Sequence, residues 1–124
     1  MKPVFSGDVL IVEDNFIIAM DVEELATELG AATVHLASTV SEALELIAAQ
    51  TITAAILDYN LDEGTSEPVA DRLAESGVPF VFATGYSDSS MLPERYRSLT
   101  LLKKPYSSED IAGAFNPSRH SADC

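Results

Sequence analysis

An α/β fold, with a parallel sheet covered by helices on both faces, is expected from three features of the chain. Short, continuously apolar runs of strand length recur along it, stretches with helical spacing separate them, and the two kinds alternate throughout. Because successive side chains of a strand point to opposite sides, a run that is apolar at every position belongs to a strand buried on both faces. The expected order is βαβαβαβαβα.

The first run is Val9-Leu10-Ile11-Val12, followed by Ile18, Val22, Leu25 and Leu29 at helical intervals, with Gly30 as terminator. Thr33-Val34-His35-Leu36 is more mixed, which suits an edge strand with His35 packed on or beside it. Thr39 and Glu42 form a capping-box pattern ahead of Ala43, Leu44 and Ile47. Ala54-Ala55-Ile56-Leu57 is the third strand, and Ser66-Glu67-Pro68 puts a cap and an early proline before Val69, Ala70 and Leu73. Phe80-Val81-Phe82-Ala83 is the fourth strand. The stretch from Asp88 to Arg97, with Pro93 and weak periodicity, predicts a short or irregular helix. Leu99 to Leu102 supplies the fifth strand, and Ser107 and Asp110 open a last helix through Ile111, Ala114 and Phe115. Asn116-Pro117 stops that helix, so one domain over residues 1–115 and a frayed tail over 116–124 are expected, with no linker, repeat or separate effector.

Composition excludes several function classes. The 124 residues are 47% hydrophobic, with a mean hydropathy of +0.13, so a packed core is expected rather than disorder. No apolar run approaches the roughly 18 residues that span a bilayer, and the start does not resemble a signal peptide. Cys124 is the single cysteine, which excludes a disulfide framework and suits a cytoplasmic protein. The net charge is −13, from 20 acidic against 7 basic residues. A field of that sign repels phosphate backbones and anionic lipid, so neither nucleic acid nor membrane is an expected partner.

In an open parallel sheet, ligands bind beyond the carboxyl ends of the strands. The first strand ends in Glu13-Asp14, the third in Asp58-Tyr59-Asn60, the fourth in Thr84-Gly85-Tyr86 and the fifth in Lys103-Lys104-Pro105. Three carboxylates, a hydroxyl and an ammonium therefore share one rim. Two carboxylates about 4 Å apart repel by roughly 4 kcal/mol at an effective dielectric of about 20, enough to protonate one of them. A hard divalent cation removes the conflict, and Mg²⁺ favours oxygen ligands beside a phosphate. The expected metal ligands are Asp14 and Asp58, with Glu13 helping directly or through water. One Asp58 oxygen then remains to attack phosphorus, while Lys104 and Thr84 meet the charge growing on the phosphoryl oxygens.

These residues resemble the receiver domains of two-component response regulators: the acidic pair Glu13 and Asp14, the phosphoacceptor Asp58, the hydroxyl of Thr84, and Lys104-Pro105, over residues 6–115. The resemblance implies a flavodoxin-like sheet of order 2-1-3-4-5, a cis bond before Pro105, a Mg²⁺ ligand from the backbone carbonyl of Asn60, and phosphohistidine of a histidine kinase or phosphotransfer protein as donor. It also implies output through a downstream protein target, and catalysis limited to the domain's own phosphorylation and slow dephosphorylation. The run Pro79-Phe80-Val81-Phe82-Ala83-Thr84-Gly85-Tyr86 is similar to the FAT GUY subgroup, which includes stand-alone receivers of alphaproteobacteria tied to the general stress response. One position departs from the family: where many receivers carry a switching aromatic three residues before the lysine, this chain has Leu101. Tyr86, close to Thr84, is the expected substitute in the switch.

Plainer readings exist for each residue taken singly. Asp14 suits the N-cap of the first helix, and Thr84-Gly85 suits a turn. Phe16, Ile17 and Met20 open the first helix beside the rim and are expected to dock the partner, although some of them must serve the core instead. Arg95, Arg97, Lys103 and Lys104 are four of the seven basic residues, and Arg95 and Arg97 offer a second docking face unless they pair with neighbours such as Glu94. Two other uses of the rim compete with an output switch. One is a shuttle or sink passing phosphate between histidine proteins. The other is a small Mg²⁺-dependent phosphatase of the haloacid-dehalogenase kind, disfavoured because Asn60 stands where such enzymes carry a second aspartate.

Overall fold

The computed structural model describes residues 4–62, 64–84, 92–96, 101–104 and 106–115. The expectations placed on Tyr86, Arg97, Pro105 and the tail 116–124 lie outside them.

Among the described residues there are seven strands: β1 (Asp8–Val12), β2 (Thr33–Ala37), β3 (Ile52–Asp58), β4 (Asn60–Leu61), β5 (Gly64–Thr65), β6 (Phe80–Thr84) and β7 (Leu101–Lys103). Five of them form the parallel sheet in the order β2-β1-β3-β6-β7, which is the 2-1-3-4-5 arrangement of the flavodoxin-like receiver fold. The other two, β4 and β5, make a short antiparallel pair of which the sequence patterns give no sign. The helices are α1 (Phe16–Glu28), α2 (Val40–Ala49), α3 (Glu67–Glu75) and α4 (Ser108–Phe115), with a 3₁₀ turn at Glu94–Tyr96 where the sequence predicts an irregular helix.

The continuous apolar runs are explained by burial on both faces. Leu10, Val12, Ala55, Leu57 and Phe82 pack with Ala43 of α2 and with Val69, Ala70 and Leu73 of α3. Their alternate neighbours Val9, Ile11, Ala54, Ile56, Val81 and Ala83 pack with Val22 and Ala26 of α1 and Ile111 of α4. Two cores therefore clamp the sheet and hold its strand ends in fixed register.

Local signals bound α1 at its end and α2 and α4 at their starts. Gly30 has φ 110°, a conformation open to glycine at little cost. Thr39 Oγ1 accepts from the Glu42 backbone N–H at 3.1 Å, while Glu42 reaches back one residue further than a capping box requires, to the N–H of Ser38 at 2.9 Å. Ser107 and Asp110 exchange side-chain and backbone bonds at 3.2 and 2.9 Å, so α4 opens as the sequence suggests. The cap expected at Ser66 is different: its side chain makes no capping hydrogen bond. Its hydroxyl is buried without a hydrogen-bond partner among the described residues.

Candidate functional site

The carboxyl ends of β1, β3, β6 and β7 bring Glu13, Asp14, Asp58, Thr84 and Lys104 to one edge of the sheet. The register makes this unavoidable. Val12 lies beside Leu57 and Asp58 beside Ala83, and Thr84 lies beside Lys103. Backbone bonds then extend the alignment past the strands, from Glu13 N–H to the Ala37 carbonyl at 2.9 Å, Tyr59 N–H to Ala83 at 2.9 Å and Lys104 N–H to Thr84 at 2.8 Å.

Lys104 Nζ donates to Glu13 Oε1 at 2.7 Å and lies 3.1 Å from Asp58 Oδ2. Glu13 and Asp58 are 5% and 7% exposed, so neither carboxylate can rely on water. Glu13 Oε2 accepts from the Asn15 N–H at 3.1 Å, and Asp14 Oδ2 accepts from the Asp62 N–H at 2.8 Å. Oxygens of Glu13, Asp14 and Asp58 all fall within 4.8 Å of one another.

The electrostatics follow from this crowding. Burial first, and then the neighbouring Glu13 carboxylate, push the Asp58 carboxyl up to about 7, with Lys104 opposing. Burial alone would lower the Lys104 ammonium, but the hydrogen bond to Glu13 and the charge of Asp58 hold it above its ordinary value. The charge of Asp14 likewise raises the exposed Asp62 carboxyl. An all-oxygen, strongly acidic donor set with one carboxylate poised at neutrality fits a hard divalent cation of the Mg²⁺ type.

Several features of the site are not legible in the chain. Asn15, not Asp14, caps α1: its Oδ1 accepts from Ile17 and Ile18 N–H at 3.0 and 3.2 Å. The plain reading of Asp14 as a cap therefore fails, and its carboxylate turns to the pocket. Tyr106 belongs to the surroundings of the pocket without any motif to mark it. Its hydroxyl is raised well above the usual range by burial, with Glu13 and Asp58 adding to the effect. The one available signal is its position two residues after Lys104. Asn60 is exposed on β4. Phe16, Ile17 and Met20 are 70%, 72% and 49% exposed, so none of the three serves the core. Arg95 is paired, but with Asp71 and Glu67 rather than Glu94. His35 sits on edge strand β2, with Nε2 3.0 Å from Asp8 Oδ2.

A doubly covered parallel sheet with this acidic, lysine-bridged rim defines a signalling receiver, and the chain belongs to the response regulator receiver domain family, whose model matches residues 9–116. Among solved structures it is similar to SdrG from Sphingomonas melonis Fr1: 41% identity, 87% of this chain and 92% of that one, TM-score 0.73. The BeF3-activated conformation of SdrG, from Pseudomonas melonis Fr1, matches with 42% identity over 86% of this chain and 91% of that one, TM-score 0.73. A second relative is the phyllosphere-induced regulator PhyR of Methylorubrum extorquens, 31% identical over 112 residues, or 88% of this chain. A solved PhyR, described as a stress response regulator, shares 32% identity over 86% of this chain and 42% of that one, TM-score 0.65. The chain spans 42% of the length of the PhyR from M. extorquens. Among the described residues no helix is long and apolar enough to cross a membrane.

Proposed function

We propose that the domain is a phosphoryl-accepting switch of a two-component phosphorelay, with Asp58 as acceptor and phosphohistidine of a kinase or phosphotransfer protein as donor. The observation that carries this reading is the Lys104 ammonium held between the buried carboxylates of Glu13 and Asp58, with Asp14 alongside. The BeF3-activated state described for SdrG supports it.

An ionised Asp58 oxygen attacks phosphorus in line; the O–P bond forms as the P–N bond to the donor imidazole breaks. Burial and Glu13 resist that ionisation, and Lys104 favours it. As charge develops on the phosphoryl oxygens, Lys104 leaves the carboxylates to meet one of them and the Thr84 hydroxyl donates to another. Asp14, Asp58 and Glu13, with the Asn60 carbonyl, are the groups that would hold Mg²⁺. When bound, the ion neutralises both the carboxylates and the incoming phosphoryl group.

Phe16, Ile17 and Met20, apolar and exposed beside the rim, are the surface for the donor protein. Replacing Phe16 and Ile17 with serine should slow transfer from a kinase at least tenfold while leaving labelling by acetyl phosphate unchanged; equal loss in both assays removes the docking role. Likeness to PhyR supports a place in a stress response. Acetyl phosphate with Mg²⁺ should give an adduct of one phosphoryl group by intact mass, absent in Asp58→Asn. Equal labelling of that variant rejects Asp58 as acceptor.

A further inference from the structure

Beyond the pocket, a ring of side chains joins the residue after Asp58 to the surface of α3. Tyr59 donates its hydroxyl to Glu67 Oε2 at 2.6 Å. The other oxygen of Glu67 lies 3.6 Å from Arg95 Nη2. Arg95 donates twice to Asp71, from Nε to Oδ1 and from Nη2 to Oδ2, each at 3.1 Å. Its guanidinium sits 4.8 Å from the centre of the Tyr96 ring, and the Tyr96 hydroxyl donates to the same Asp71. Aromatic edges close the ring, Tyr96 to Phe82 at 5.5 Å and Phe82 to Tyr59 at 5.3 Å.

An exposed ion pair alone holds little. Here a two-pronged Arg–carboxylate bond, a cation over an aromatic face and a buried tyrosine ring act together. The ring also begins and ends at the pocket. Tyr59 follows Asp58, Phe82 lies two residues before Thr84 on β6, and the Tyr59 N–H bonds the Ala83 carbonyl between them at 2.9 Å. Leu101, where many receivers carry their switching aromatic, is the register partner of Phe82. The aromatic seated on Phe82 comes instead from the 3₁₀ turn, as Tyr96.

We propose that this clasp is a latch of the unphosphorylated form, and that it opens when Asp58 carries a phosphoryl group; the proposal rests on Asp58 being the acceptor. With Lys104 committed to two carboxylates, the structure is in the unphosphorylated arrangement, and the clasp is closed in it. A phosphoryl group draws Lys104 and Thr84 to itself and shifts β6, on which Phe82 stands two residues before Thr84. Packed rings have discrete arrangements, so the seat of Tyr96 is lost rather than stretched. A ligand that favours the open form must work against the clasp, and cutting the clasp removes that work.

The test is a beryllofluoride titration in Mg²⁺, followed by fluorine NMR of protein carrying fluorotyrosine at its four tyrosines. In the wild type the Tyr96 signal should move at saturation. Tyr96→Phe, which keeps the ring, and Arg95→Gln, at the exposed end of the clasp, should each bind about 5-fold more tightly or better. Unchanged or weaker binding in the folded variants, or an unmoved Tyr96 signal in saturated wild type, overturns the latch. Failure of the wild type to bind, or equal binding by Asp58→Asn, overturns instead the assignment of Asp58.

Discussion

Neutralising Asp58 should make the metal-free protein more stable, and increasingly so as pH rises. The Asp58 carboxyl is raised from 3.8 to about 7, chiefly by burial and by Glu13. The folded state therefore binds the proton more tightly than the unfolded chain, and stability falls with rising pH between those two values. Three units correspond to roughly 4 kcal/mol in total, of which more than half is lost between pH 5 and pH 8. An asparagine side chain cannot ionise, so Asp58→Asn lacks this loss. Urea unfolding of both proteins in EDTA, at pH steps from 5 to 8, measures the divergence. Parallel stability curves for wild type and variant across that window would refute the argument that burial and a second carboxylate strain this site.

Three further outcomes follow from the same geometry. Adding Mg²⁺ at about 100 times its dissociation constant should stabilise the wild type by about 2.7 kcal/mol; the same concentration should do much less for Asp14→Asn, and equal thermal shifts would separate Asp14 from the metal. Lys104→Ala leaves Glu13 and Asp58 facing each other with no cation, and should cost roughly 3 kcal/mol at neutral pH. That cost should shrink on acidification below the Asp58 value, as measured by denaturant unfolding. Phe82, fully buried between Tyr59, Phe80 and Tyr96, should cost about 3–5 kcal/mol as Phe82→Ala, and a loss under 1 kcal/mol would contradict the packing described.

Fold class and the chemistry of the rim are both written along the chain. Strands apolar at every position, such as Val9–Val12, suit burial on both faces of a sheet, and their alternation with helical stretches makes that sheet parallel. Such a sheet delivers whatever follows each strand to one edge, so Glu13, Asp14, Asp58, Thr84 and Lys104 are readable together. What the chain does not disclose depends on distances between residues far apart in sequence. The choice of Asn15 over Asp14 as cap is decided by the backbone N–H groups that each side chain can reach. The partners of Arg95 are decided by α3 passing beside the 3₁₀ turn, which puts Asp71 within bonding distance in place of the adjacent Glu94. Periodicity and strand-end logic fix what lies along an element; only the packing of one element on another sets which charges, rings and hydroxyls come within bonding distance.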